Sequence, residues 1–130
     1  MKDVNGKLQY KNKTYSLVFN LNVMEAIQEE YGTLANWGDL TGGSDKEPNA
    51  KAVLFGLREM INEGIDIENE ENGTNEPLLT HKQVGRMMTE VGLMEATQVL
   101  NDTVIGSTQS ELKNELAVIV LLPLSSSTYL

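Results

Sequence analysis

The sequence predicts a mainly α (α+β) fold, a compact bundle of about five helices carrying an N-terminal β-hairpin. Three observations lead there. Leu8, Tyr10, Tyr15, Leu17 and Phe19 alternate with polar residues around a polar turn, the period of a half-buried strand pair. From Asn22 onward the apolar residues recur three and four apart, the period of helices with one buried face. Those helical stretches are punctuated by capping residues and by Gly32, Gly64, Gly92 and Gly106.

The hairpin is expected within residues 6–20, turning at Lys11-Asn12-Lys13, where Asn12 tolerates positive φ. A lone hairpin is marginal in water, so it must pack on helices or pair with another chain. The first helix is predicted from an Asn22/Glu25 capping box to the stop at Gly32, with Val23, Ile27 and Tyr31 on one face. Trp37 follows in the short segment 34–40, where it is expected to anchor the chain to the core rather than to bind a ligand. After the loop 41–45, Ser44 or Asp45 is the expected cap of a second long helix, with Pro48 in its first turn. Ala50, Val53, Leu54, Leu57, Met60 and Ile61 give that helix a broad apolar face up to Gly64. Gly56 sits mid-helix, where it costs about 1 kcal/mol against alanine, and so predicts a close crossing.

Thr80 and Gln83 form the next capping box, with Leu79 placed to staple onto Val84, and the helix runs to Gly92. A further helix is expected from Leu93 to Ile105, with Leu93, Ala96, Leu100 and Val104 on one face, Val99 and Thr103 beside it and Gly106 as its stop. Thr108 and Glu111 then suggest a last helix, apolar all round from Leu116 and broken by Pro123. A helix without a polar face must be buried, in its own domain or against a partner. The whole chain, 1–130, reads as one domain: hairpin 6–20, helical domain 22–122 and a frayed tail 123–130.

Composition narrows the function classes. Nineteen acids against ten bases leave a net charge of −9, which repels nucleic acid and anionic membranes as partners. With no cysteine there is no disulfide, thiolate nucleophile or cysteine zinc site. The N-terminus lacks the apolar stretch of a signal peptide, and the run Leu116–Leu122 is far shorter than the ~20 residues of a membrane span. A soluble, cytoplasmic protein is expected.

The acidic stretch Ile65–Glu76 is expected to be a solvated mobile loop. It fails as a calcium loop: with Asp66 as first ligand the turn-forming sixth position is Glu71, and counting from Gly73 puts Leu79 where a bidentate Glu belongs. His81, the single histidine, has no nucleophile beside it in sequence and is expected at the surface. No phosphate-binding glycine loop, apolar carboxylate pair or ligand cluster is evident, so no catalytic residue, metal or cofactor is expected. Binding remains. Six methionines, Met24, Met60, Met87, Met88 and Met94 among them, offer pliable apolar surface where they are not filling the core. Met87 and Met88 are adjacent and point about 100° apart, so one of them is expected to border the surface. The candidate partner-binding set is Met87, Met88, Met94, Leu116, Ile119, Val120 and Leu122.

An ordered series of segments adds a resemblance. Thr14-Tyr-Ser-Leu-Val-Phe-Asn-Leu-Asn-Val-Met-Glu-Ala-Ile-Gln-Glu-Glu-Tyr-Gly32 comes first, then Lys51-Ala-Val-Leu-Phe-Gly-Leu-Arg58, then Leu79-Thr-His-Lys-Gln-Val-Gly-Arg-Met-Met88. In that order, within residues 14–107, they resemble the tail assembly chaperones of long-tailed (siphovirus-type) bacteriophages and prophages. Gln83, where an acid is more usual, and the acidic insertion 65–76 depart from that pattern. The resemblance implies a non-catalytic protein of the bacterial host cytoplasm, outside the mature virion. Its implied partner is the tape measure protein, a long helical chain with apolar stretches kept soluble while the tail tube forms around it. It also implies a longer, frameshifted product that adds a domain for the tail tube protein, and this chain resembles the short form.

A holdase of this kind must bind moderately at many sites and later let go. The apolar stretch Leu116–Leu122 further suggests a homo-oligomer. Two alternatives remain: an acidic DNA-mimic inhibitor of a nucleic-acid enzyme, and an accessory structural subunit of the virion. The acids are gathered in one stretch and scattered elsewhere, which disfavours the mimic.

Overall fold

In the computed structural model, residues 6–43 and 47–121 are described, with side chains up to Ser107. Strands β1 (Gly6–Tyr10) and β2 (Lys13–Leu17) lead into helices α1 (Leu21–Tyr31) and α2 (Leu34–Gly38). A wide helical turn, Asp39–Gly43, and helices α3 (Ala50–Asn72), α4 (His81–Val91) and α5 (Leu93–Leu121) complete the chain. Among the described residues the architecture is thus five helices and one two-stranded antiparallel hairpin, the expected mainly α class.

The hairpin closes in two residues, one fewer than expected. Lys11 and Asn12 both take positive φ, 51° and 63°, and Lys13 already pairs with Tyr10. Such a turn matches the right-handed twist of the strands. The hairpin lies against α3: the Val18 amide donates to the Met60 carbonyl at 3.2 Å. Gly64 lets the Ser16 carbonyl rest on the helix, for a Cβ there would stand 2.6 Å from that oxygen. At the tip, Lys13 and Glu76 form an exposed ion pair at 3.0 Å, and the hydrogen bond to Glu76 raises the Lys13 pKa.

Helix α1 is capped two residues earlier than expected. Asn20, extended at φ −141°, accepts from the Val23 amide, while its side-chain nitrogen donates to Glu63 at 2.8 Å. Asn22 lies inside the first turn and also donates to Glu63, at 3.1 Å, so both asparagines fasten α1 to α3. Gly32 ends the helix at φ 88°, as expected.

The core gathers between α3 and everything around it. Trp37, 1% exposed, is its largest side chain, and its indole N–H donates to the Ala52 carbonyl at 3.0 Å. Trp37 is therefore the expected anchor. Gly56 makes room for it: a Cβ there would collide with the indole ring and press on Leu100 of α5. Buried Thr41 donates to the Trp37 carbonyl, and the Thr41 carbonyl accepts from Asn101 of α5. The wide turn is thereby tied to both helices.

Three expected boundaries are corrected. Asn49 caps α3 by accepting from the Ala52 amide, and Pro48 precedes the cap instead of opening the helix; Ser44 and Asp45 lie outside the described residues. Helix α3 then runs past Gly64 to Asn72, ending at the left-handed Gly73. Most of the acidic stretch is therefore helix: buried Ile65 continues the core face, while Asp66, Glu68, Glu70 and Glu71 are exposed. Helix α5 continues unbroken through Gly106, so the two helices expected over 93–122 are one. A lone glycine weakens a helix by about 1 kcal/mol but removes no backbone donor, unlike proline.

The return from α3 to α4 is held by two asparagines seven residues apart on α3. The Asn69 side chain accepts from the Glu76 amide and donates to its carbonyl, both at 2.9 Å. Asn62 does the same with Leu79, at 2.8 and 3.0 Å. Each amide side chain reads the extended backbone as a strand partner would. The Thr80/Gln83 capping box then starts α4 as expected. The expected tail 123–130 lies outside the described residues.

Candidate partner-binding surface

The structure separates the expected partner-binding residues into three groups. Met87 and Met88 are both in the core, 1% and 6% exposed, so the expectation that one borders the surface is corrected. Helix α4 packs on α3 and on α5, and two neighbours cover both directions in which adjacent side chains point. Met94, by contrast, is 71% exposed. Leu116, Ile119 and Val120 lie on the helical backbone of α5, but their side chains are outside the described residues, as is the whole of Leu122.

Among the described residues, α5 buries one face and carries two exposed apolar side chains away from it. Its first half turns Ala96, Leu100, Thr97 and Thr103 into the core, with Leu93, Val99 and Val104 half-buried beside them. The two threonines satisfy their hydroxyls on the preceding turn, donating to the Leu93 and Val99 carbonyls. Met94 and Ile105 are exposed, at 71% and 51%. Eleven residues apart, they fall within about 20° of each other on the helix.

At 100° per residue, Ala96, Leu100 and Thr103 lie about 140–180° away from Ile105. Because α5 is unbroken to Leu121, the same register extends along its second half.

Ile105 was missed by sequence reasoning because it was read as the last residue of a helix. The signal was its eleven-residue spacing from Met94, which sets both residues on one side of the helix. Leu21 and Leu78 are also exposed, beside the starts of α1 and α4.

Elsewhere the charges are segregated. Residues 6–20 carry Lys7, Lys11 and Lys13 and no acid, on a chain of net charge −9. His81 is exposed at the first position of α4, as expected. Among the described residues no three His, Cys, Asp or Glu side chains gather to hold a metal ion. No helix of the described residues is long and apolar enough to cross a membrane. The Tyr31 hydroxyl is buried without a partner, and burial, followed by the charge of Glu30, pushes its pKa up. Its ring packs edge-on against Phe55 at 5.5 Å, which accounts for its position structurally.

No protein-family model, curated protein or solved structure matches this chain. The family resemblance therefore rests on the ordered segments of residues 14–107.

Proposed function

We propose that this protein is a phage or prophage tail assembly chaperone that binds the tape measure protein without catalysis and keeps it soluble while the tail tube forms. The observation that carries this reading is a pair of exposed apolar side chains on one side of α5, Met94 and Ile105. A helix whose apolar residues turn away from its own core needs another apolar surface, and an amphipathic helix of a long helical client supplies one. The acidic remainder of the surface suits a holdase, because it keeps a loaded complex soluble and repels nucleic acid. Work in the host cytoplasm, absence from the finished virion and a longer form that meets the tail tube protein belong to the same proposal.

Co-expression with the tape-measure-like protein encoded beside this chain tests it. The partner should stay soluble and co-purify, and the complex should survive high salt. Replacing both Met94 and Ile105 by glutamate should lower the recovered soluble partner at least tenfold while leaving the thermal midpoint of the chaperone unchanged. Both positions are exposed, so the fold does not depend on them. Equal recovery with the double variant would remove α5 from the interface, and no recovery with either protein would remove the chaperone function. A DNA mimic would instead bind basic nucleic-acid enzymes and lose affinity steeply as salt is raised.

A further inference from the structure

We propose that the outer edge of β1 is a strand-addition site for an extended segment whose acidic residues alternate with apolar ones. The register of the hairpin sets which backbone groups are in use. Across a two-residue turn the flanking residues, Tyr10 and Lys13, exchange hydrogen bonds, and bonded pairs then alternate along the ladder. Leu8 with Tyr15 and Gly6 with Leu17 are therefore bonded pairs, and the N–H and C=O groups of Lys7 and Gln9 point away from β2.

The two edges of the hairpin meet different surroundings. On β2, α3 takes the outward groups: Val18 N–H bonds to the Met60 carbonyl, and Gly64 receives the Ser16 carbonyl. On β1, a groove of about 520 Å³ runs beside Lys7, Gln9 and Lys11 and is bounded opposite by Glu90, Val91, Glu95 and Val99. Among the described residues no strand pairs with this edge of β1, and such an edge next to a groove has the geometry of peptide recognition by β-augmentation, in which main-chain bonds give affinity and alternate side chains give selectivity.

Side-chain alternation specifies the occupant. Lys7 and Gln9 are exposed on the outer face of the hairpin, where their side chains reach Ser16 and Thr14, while Leu8 is buried on the inner face. In an added strand, residues on the outer face would stand beside Lys7, and opposite charges in cross-strand positions attract. Residues between them would point toward Val91 and Val99. Glu90 and Glu95 on the far wall repel a strand that carries its acids on that side. A second copy of this edge is a poor occupant: antiparallel self-pairing centred on Gln9 would set Lys7 of each copy against Lys11 of the other, a device that keeps sheet edges apart.

The test uses the full chain and an acetylated, amidated heptapeptide of alternating glutamate and valine. Titration should give saturable binding, with amide hydrogen exchange slowing at Lys7 and Gln9 and unchanged at Thr14. Gln9→Pro removes one outward N–H and should weaken binding at least tenfold with the fold intact by circular dichroism. Lys7→Glu should weaken the glutamate peptide tenfold and admit a lysine–valine peptide that the native chain rejects, a reversal that loss of folding does not produce. Unchanged exchange at Lys7 and Gln9 under saturating peptide would overturn the proposal. So would equal binding of both peptides, or protection of these amides that grows with protein concentration when no peptide is present. None of these readouts depends on the tape measure protein, so the result stands apart from the chaperone reading.

Discussion

Replacing Trp37 by alanine should destabilise the protein by about 3–5 kcal/mol, the usual cost of deleting a fully buried large aromatic side chain. The indole is 1% exposed and fills the space that Gly56 leaves between α3 and α5. Its loss opens a cavity and also removes the indole N–H bond to the Ala52 carbonyl at 3.0 Å. A phenylalanine in its place keeps most of the volume but not the donor, and should recover about half of the loss. Urea denaturation followed by far-ultraviolet circular dichroism checks both, since the single tryptophan disappears as a fluorescent probe. A cost below about 1 kcal/mol for the alanine variant would mean that Trp37 is not the centre of this core.

The second large effect is expected at Gly64. Its neighbour is the backbone carbonyl of Ser16, and an added Cβ would stand 2.6 Å from that oxygen. A backbone atom held in a strand cannot swing aside as a side chain can. Gly64→Val should therefore push β2 off α3 and cost about 3 kcal/mol, the upper end of ordinary overpacking. The exchange rate of the Val18 amide should rise with it, because that amide bonds to Met60 one helical turn away.

Gly85→Ala provides the contrast. It lies inside α4, where a new Cβ would meet only Leu54 at an ordinary 3.9 Å. It should gain up to about 1 kcal/mol from helix propensity. If the two substitutions had equal effects in denaturation experiments, the close approach of β2 to α3 would not be what Gly64 serves.

Much of the fold is legible in the residues because the signals are local. The alternation of Leu8, Tyr15 and Leu17, the Thr80/Gln83 capping box and the stops at Gly32 and Gly92 depend on neighbours within a few positions. Gly56 also announced its crowding, since a glycine in an apolar helical face needs a packing reason. The errors share the opposite property. Asn22 and Asn20 are equally good caps by type; Asn20 takes the cap, and both reach Glu63, more than forty residues away, a contact with no local signal. Gly64 resembled a helix stop because nothing in sequence shows the Ser16 carbonyl against it.

The acidic stretch misled for a related reason. Its charges suggested a loop, yet acids that fall on the exposed faces of a helix cost little, and Ile65 and Asn69 anchor the inner side. The role of Asn62 and Asn69 in clamping the backbone at Leu79 and Glu76 had no readable signal beyond the abundance of asparagine.

The candidate binding surface divides the same way. Met94 was legible as an apolar residue at a helix start, whereas Met87 and Met88 needed the structure to show that α4 is covered from two sides. By itself the sequence determined the fold class, the Thr80/Gln83 cap, the stops at Gly32 and Gly92 and the acidic charge, because these follow from residue chemistry over a few positions. The tertiary structure alone decided which glycines stop a helix and which admit a neighbour, which methionines are covered, and that Ile105 is left exposed. Burial and close approach belong to pairs of elements distant in sequence, and their relative placement is settled only when they pack.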